Sequence, residues 1–202
     1  RGITVELQWR LEGLPALTFE ELWRARGTLD VACQPLPTLP GDVNALYLFA
    51  HGARHGWASL FWLLDIALLL PAVGPGLWAA AGRLRLTRPL LQGVALAGQL
   101  LGVAPPDDLR EPLARADANG PLLAEARRRI SQPEVRPIGL GPVFRDTLYA
   151  FRLQETWRGR ASLVQPRLLS PQNWKLWPLP DRWFWLYYPA SPVLWAWRRL
   201  RE

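Results

Sequence analysis

The sequence predicts a mainly α protein with a short β segment at its N-terminus. Three observations lead there. Residues 2–10 alternate, with Ile3, Val5, Leu7 and Trp9 on one face and Thr4, Glu6, Gln8 and Arg10 on the other, the period of a half-buried strand. Pro35-Leu36-Pro37-Thr38-Leu39-Pro40 reads as a stiff connector that closes the extended region. Beyond it the apolar spacing is helical, broken at Pro71, Gly74-Pro75-Gly76, Pro105-Pro106, Asn119-Gly120 and Gly139-Leu140-Gly141-Pro142.

The elements follow in order. After the first strand, residues 19–26 form a short helix, with Thr18 as N-cap and Glu21 at the capping-box position. Residues 31–34 are β-prone. The first long helix is expected over 42–56 and the second over 58–70, where Pro71 stops it. Further helices are expected over 77–86, 89–103, 109–118, 121–131, 144–157 and 160–169. Ser170-Pro171 opens a short turn, and Ser191-Pro192 opens a final helix over 193–201, both by the preference for proline in the first helical turn. The expected division is residues 1–40, a sheet segment with its connector, and 41–202, a helical domain.

The bulk numbers bound the class. A chain of 202 residues, half hydrophobic and one fifth charged, is globular and long enough to bury a core. The single cysteine, Cys33, excludes an internal disulfide and a four-cysteine metal site. Residues 1–10 alternate and carry charge, unlike a secretory signal, so a cytoplasmic location is expected. The sequence begins at Arg1 and has no methionine, which suggests an N-terminally truncated or processed piece. The net charge of +7 is carried by arginine, with Lys175 the only lysine. It suits an anionic partner, although an arginine-rich, alanine- and leucine-rich composition also spreads charge over any surface.

Four constellations could carry chemistry. Glu6, between Val5 and Leu7, fits a strand that brings a carboxylate to a cleft edge, where phosphoryl and nucleotidyl transfer need oxygen ligands for Mg²⁺. Arg10, on the same face, could meet a phosphate. Taken alone, a glutamate on a polar strand face is more often solvated. His51 and His55 stack at i and i+4, with Tyr47 a turn earlier and Arg54 beside them. Zinc is disfavoured, because Gly52 occupies the place of the metalloprotease glutamate and a third histidine is lacking. A polar helix junction and a nucleotide contact remain, and periodicity alone favours the junction. Gly52 and Gly56 would admit a backbone or a ligand.

Asp65 stands among Leu60, Phe61, Trp62, Leu63, Leu64, Ile66 and Ala67. A helix apolar all round belongs in a protein core or a membrane. Asp65 at the centre and Pro71 at the end argue against a span, so a core helix is expected. Asp65 is then a buried structural carboxylate paired with His51, His55 or Arg54. Finally, residues 174–199 hold half of the twelve tryptophans, interleaved with Arg182, Arg198 and Arg199. That composition suits a membrane interface or a base-stacking platform. The preferred expectation is that Trp174, Trp183 and Tyr187 bury their rings on the helical core, near residues 144–157, because prolines cut the segment far below a spanning length.

Taken together and in this order, these pieces resemble the uncharacterised nucleotidyltransferases of the polymerase-beta-like superfamily. The resemblance runs along nearly the whole chain. It is carried by Val5-Glu6-Leu7-Gln8-Trp9-Arg10-Leu11, the segment from Leu39 to Asp42, His51-Gly52-x-x-His55-x-Trp57 and Trp62-Leu63-Leu64-Asp65-Ile66-Ala67. Leu168-Leu169-Ser170-Pro171 with Trp174, and Leu179-Pro180-Asp181 through Leu186-Tyr187-Tyr188, extend it. It implies the helical C-terminal part of an α+β nucleotidyltransferase whose mixed sheet carries three Mg²⁺-binding carboxylates. Glu6 falls on the third position, which turns it from solvated surface into a catalytic metal ligand. The segment bearing the other two lies upstream in the family, so the chain as given is expected to be inactive. Gln8 stands where the family usually has histidine. The implied reaction moves a nucleoside monophosphate from an NTP to an unknown acceptor. The implied substrate-binding residues are Arg10, His51, Arg54 and His55. The alternative is a non-catalytic helical interaction module, membrane-peripheral through its Trp/Arg tail; a nucleic-acid-binding helical domain rests on charge alone.

Overall fold

The computed structural model describes residues 11, 14, 17–116, 120–132, 140–168 and 171–201. The expected strand at 2–10, with Glu6 and Arg10, lies outside them. The described chain is mainly α, with a single two-stranded antiparallel sheet near its N-terminus. It divides into two compact units, residues 1–134 and 135–202.

Among the described residues the first unit opens with α1 (Phe19–Arg24). Thr18 and Glu21 form the expected capping box: the Thr18 hydroxyl accepts from the Glu21 N–H, and the Glu21 carboxylate accepts from the Thr18 N–H at 2.8 Å. That hydrogen bonding holds the Glu21 carboxyl below the ordinary range. A hairpin follows, β1 (Gly27–Val31) and β2 (Gln34–Thr38). Residues 31–34 are therefore its turn and not a strand, and the proline-rich stretch is its second strand and not a connector. Ala32 and Cys33 take positive φ, 51° and 63°, as a two-residue hairpin turn of right-handed twist requires. The register pairs Val31 with Gln34, Leu29 with Leu36 and Gly27 with Thr38. These are the alternate, hydrogen-bonded positions of the ladder. Pro35 and Pro37 fall between them, where a missing N–H removes no ladder bond.

Six helices complete this unit: α2 (Gly41–Arg54), α3 (Leu60–Leu69), α4 (Leu77–Leu84), α5 (Thr87–Leu101), α6 (Asp107–Arg115) and α7 (Pro121–Ser131). The central one is α5, which touches α2, α3, α4, α6 and α7. Pro89, Leu90 and every residue from Gln92 to Ala97 are buried. Its small residues explain this position, since Gly93, Ala95 and Ala97 let neighbours approach on several sides. At Gly93, an added Cβ would lie 2.5 Å from the Phe49 ring and 2.8 Å from that of Trp57.

The more hydrophobic α3 is not the core helix expected of it. It buries Leu63 and Ile66 and leaves Leu60, Phe61, Leu64 and Leu68 on the surface. Among the described residues nothing covers the face that bears Phe61, Leu64 and Leu68. Asp65 lies on that exposed side, which corrects its expected burial.

The second unit comprises α8 (Leu140–Leu153), α9 (Trp157–Leu168), α10 (Pro171–Leu176), a 3₁₀ turn (Asp181–Leu186) and α11 (Tyr187–Arg201). Helix α11 starts six residues before the expected position, so Ser191 and Pro192 lie inside it. The Ser191 hydroxyl is buried and accepts from Asn173 Nδ2 at 2.9 Å, tying α11 to α10. Tyr187 is buried as expected, its hydroxyl donating to the Trp177 carbonyl and accepting from the Leu179 N–H. Trp174 and Trp183 remain more than two-fifths exposed, against expectation. Among the described residues no helix is long and apolar enough to cross a membrane.

Candidate functional site

The site begins with how α2 ends. The Gly56 N–H donates to the Ala53 carbonyl at 2.9 Å and the Trp57 N–H to the Gly52 carbonyl at 2.8 Å, the paired bonds of a Schellman cap. Gly56 takes the required left-handed conformation, φ 63°. Trp57 then also takes a positive φ, 58°, and its indole folds back over the helix it terminates. An added Cβ on Gly52 would lie 2.3 Å from that ring. One at Gly56 would collide with the Arg129 side chain. The space at both glycines is thus filled by the chain's own side chains, where the sequence left a neighbouring backbone or a ligand open.

Among the described residues Trp57 is the largest fully buried side chain. Its Nε1–H donates to Gln92 Oε1 at 2.9 Å, and Gln92 Nε2 donates onward to the Leu122 carbonyl at 2.7 Å. This relay joins the α2 cap, α5 and α7, and it satisfies the polar atoms that burial strands. Sequence inspection missed Gln92. A glutamine in an Ala/Leu helix carries no signal of its partner thirty-five residues away.

With the cap fixed, α3 begins beside the histidine face of α2. His51 and His55 have ring centroids 4.7 Å apart. Trp62 of α3 stacks on His55 at 5.1 Å and 30° and meets His51 edge-on at 5.5 Å and 80°. Tyr47 extends the row, 5.8 Å from His51. Four rings therefore form one ladder across two helices. Tyr47, His51 and Trp62 are half-buried and His55 is exposed, so the ladder is open to solvent along one side. Arg54 Nη2 lies 3.2 Å from His55 Nε2. A guanidinium only donates, so that nitrogen accepts and the neutral ring carries its proton on Nδ1. Partial desolvation, then the Arg54 charge, then His51, hold the His55 pKa below the ordinary histidine value.

Asp65 has no ion pair or hydrogen bond with either histidine or with Arg54 among the described residues. The expected coupling of α2 to α3 through this carboxylate is replaced by aromatic contact through Trp62. Nor do the described residues supply a metal centre: no three of His, Cys, Asp and Glu converge among them.

The helix pair capped and stacked in this way lies within a segment that matches a known family. The model of a family described as uncharacterised nucleotidyltransferase matches residues 1–102. That is half of the chain, and it includes the hairpin, α2, α3, the ring ladder and the central helix α5. The chain belongs to this family. No curated protein and no solved structure matches it.

Proposed function

We propose that the chain serves transfer of a nucleoside monophosphate from an NTP to a hydroxyl or similar acceptor. An acceptor oxygen bonds to the α-phosphorus, the bond to the β-phosphate oxygen breaks, and pyrophosphate leaves. The acceptor proton passes to water. Mg²⁺, with Glu6 as one ligand, belongs to the same proposal through the family resemblance. The observation that carries the reading here is the half-open ladder of Tyr47, His51, His55 and Trp62 with Arg54 at its edge, inside the matched segment.

Such a shelf recognises two chemistries at once. Flat rings with exposed edges and faces accept a nucleobase by stacking. Arg54 supplies donors for phosphate oxygens. The lowered His55 pKa keeps this imidazole neutral at pH 7, where it stacks without demanding a counter-ion.

Calorimetric titration of the chain with Mg·NTP tests the assignment. His51→Ala and Trp62→Ala should each weaken binding by roughly tenfold, the worth of one base-stacking contact. Unchanged affinity in both would remove the ladder from the nucleotide site. In the protein extended by the family's upstream acid-bearing segment, Glu6→Gln should abolish nucleotide transfer while leaving the melting temperature in place; full activity in that variant would remove Glu6 from the metal site.

A further inference from the structure

The charge of the molecule is divided unequally. Residues 1–134 carry thirteen basic and thirteen acidic side chains, whereas residues 135–202 carry eleven basic against four acidic. The whole net charge of +7 therefore belongs to the second unit. The same unit exposes aromatic side chains to an unusual degree. Within residues 174–188, Trp174, Trp177, Trp183, Phe184, Trp185 and Tyr188 are 38–58% exposed. The 3₁₀ turn at their centre, Asp181–Leu186, buries none of its residues. It holds Trp183, Phe184 and Trp185 outward, with Arg182 exposed beside them and exposed Lys175 on α10.

We infer that this aromatic turn of the second unit is a docking surface for an anionic phospholipid membrane, entered at headgroup depth and not spanned. Indole and phenol rings pair an apolar body with a polar edge, which is the chemistry of the membrane–water boundary. Surrounding cations complement acidic headgroups. A projecting turn needs no amphipathic helix of full length to insert, so the prolines that shorten this segment are no obstacle. A nucleic acid shares the charge preference, but the rings of this turn pack on one another: Phe184 lies 5.8 Å from Trp174 and 5.5 Å from Tyr187, ring centroid to ring centroid. Aliphatic Leu176, 42% exposed, adds surface that offers a base nothing to stack on.

Co-sedimentation of the 202-residue chain with vesicles tests the inference directly. Vesicles of phosphatidylcholine with about one-third phosphatidylserine should retain the protein, and pure phosphatidylcholine much less. Trp183→Ala/Trp185→Ala should weaken retention by roughly tenfold or more, while Trp183→Phe/Trp185→Phe keeps most of it. Unchanged far-UV circular dichroism and melting in the alanine pair separate surface loss from misfolding; a pair that misfolds is replaced by Lys175→Ala/Arg182→Ala, expected to lose affinity for the anionic vesicles alone. Failure to sediment with anionic vesicles would overturn the inference, as would retention indifferent to both pairs. Displacement from vesicles by single-stranded RNA, with tighter binding to the RNA, would overturn it in favour of a nucleic-acid surface. None of these outcomes depends on whether the first unit binds nucleotide.

Discussion

Trp57 in the first unit and Trp185 in the second are the same side chain under opposite conditions. Trp57 is fully buried in a slot floored by Gly52 and Gly93, with its N–H bonded to Gln92. Trp185 is 58% exposed on a turn that buries nothing. Hydrophobicity does not separate them. What differs is the surroundings: a large ring becomes core only where neighbours are small enough to admit it and a partner receives its polar atom. The first unit supplies both through glycines one helix apart in space. The second unit has the rings without the slots, and it has the net charge as well.

The comparison is broken most decisively by truncating the two rings in turn. Trp57→Ala should destabilise the protein by about 3–5 kcal/mol, because a cavity replaces the ring and Gln92 loses a partner. Trp185→Ala should change stability by less than about 1 kcal/mol, since most of its surface is already in water. Denaturant unfolding of both variants measures the difference. Equal losses would mean that exposure does not separate the two positions.

The slot can also be closed without touching the ring. In Gly52→Ala the new methyl lies 2.3–2.7 Å from three atoms of the Trp57 ring. A cost of about 1–3 kcal/mol is expected from overpacking. Gln92→Leu keeps the volume but strands the indole N–H and the Leu122 carbonyl, for a similar loss of about 1–3 kcal/mol. Wild-type melting in both would show that the relay contributes nothing to the fold.

A smaller, pH-dependent difference belongs to His55. Its folded pKa is depressed, chiefly by desolvation and then by Arg54 and His51. Between that lowered value and the ordinary value near 6.5, the unfolded chain binds more protons than the folded one. Stability therefore rises with pH in this window: the contribution is complete above the unfolded value and is lost as pH falls through the folded one. Wild type should lose more melting temperature than His55→Gln on acidification from about pH 7.5 to about pH 5.5. Parallel losses would contradict the stacked, neutral imidazole.

How much of this was legible in the sequence follows from the range of each interaction. The capping box of Thr18 and Glu21 spans three residues and was read correctly. The helix pattern was legible for the same reason, as was the i, i+4 stack of His51 on His55. The hairpin is hidden from a local reading because its turn uses Ala32 and Cys33 in a conformation that favours glycine or asparagine, and because prolines look like a break when their alternate spacing is compatible with an edge. The Trp57–Gln92 relay and the Trp62 stack join residues through tertiary packing, which leaves no local period to read. The central role of α5 was hidden for a related reason: small residues lower its hydrophobicity while increasing its ability to be surrounded.

Asp65 tests that last point with the smallest expected effect. The hydropathy of Leu60–Leu69 predicted a core helix and hence a buried, paired carboxylate, whose loss would cost about 3–5 kcal/mol. The structure places the apolar weight of α3 on two faces and buries only one, through Leu63 and Ile66. Asp65 lies among exposed Phe61, Leu64 and Leu68, where water solvates its charge. Asp65→Ala should then shift stability by no more than about 0.5 kcal/mol, because no buried partner is stranded. Its effect on solubility should be larger, since the substitution removes the one charge on an exposed apolar face and leaves a surface prone to association. Unfolding and light scattering of the variant measure the two separately. A loss of several kcal/mol would mean that the carboxylate is buried in solution, and the two-faced description of α3 would fail with it.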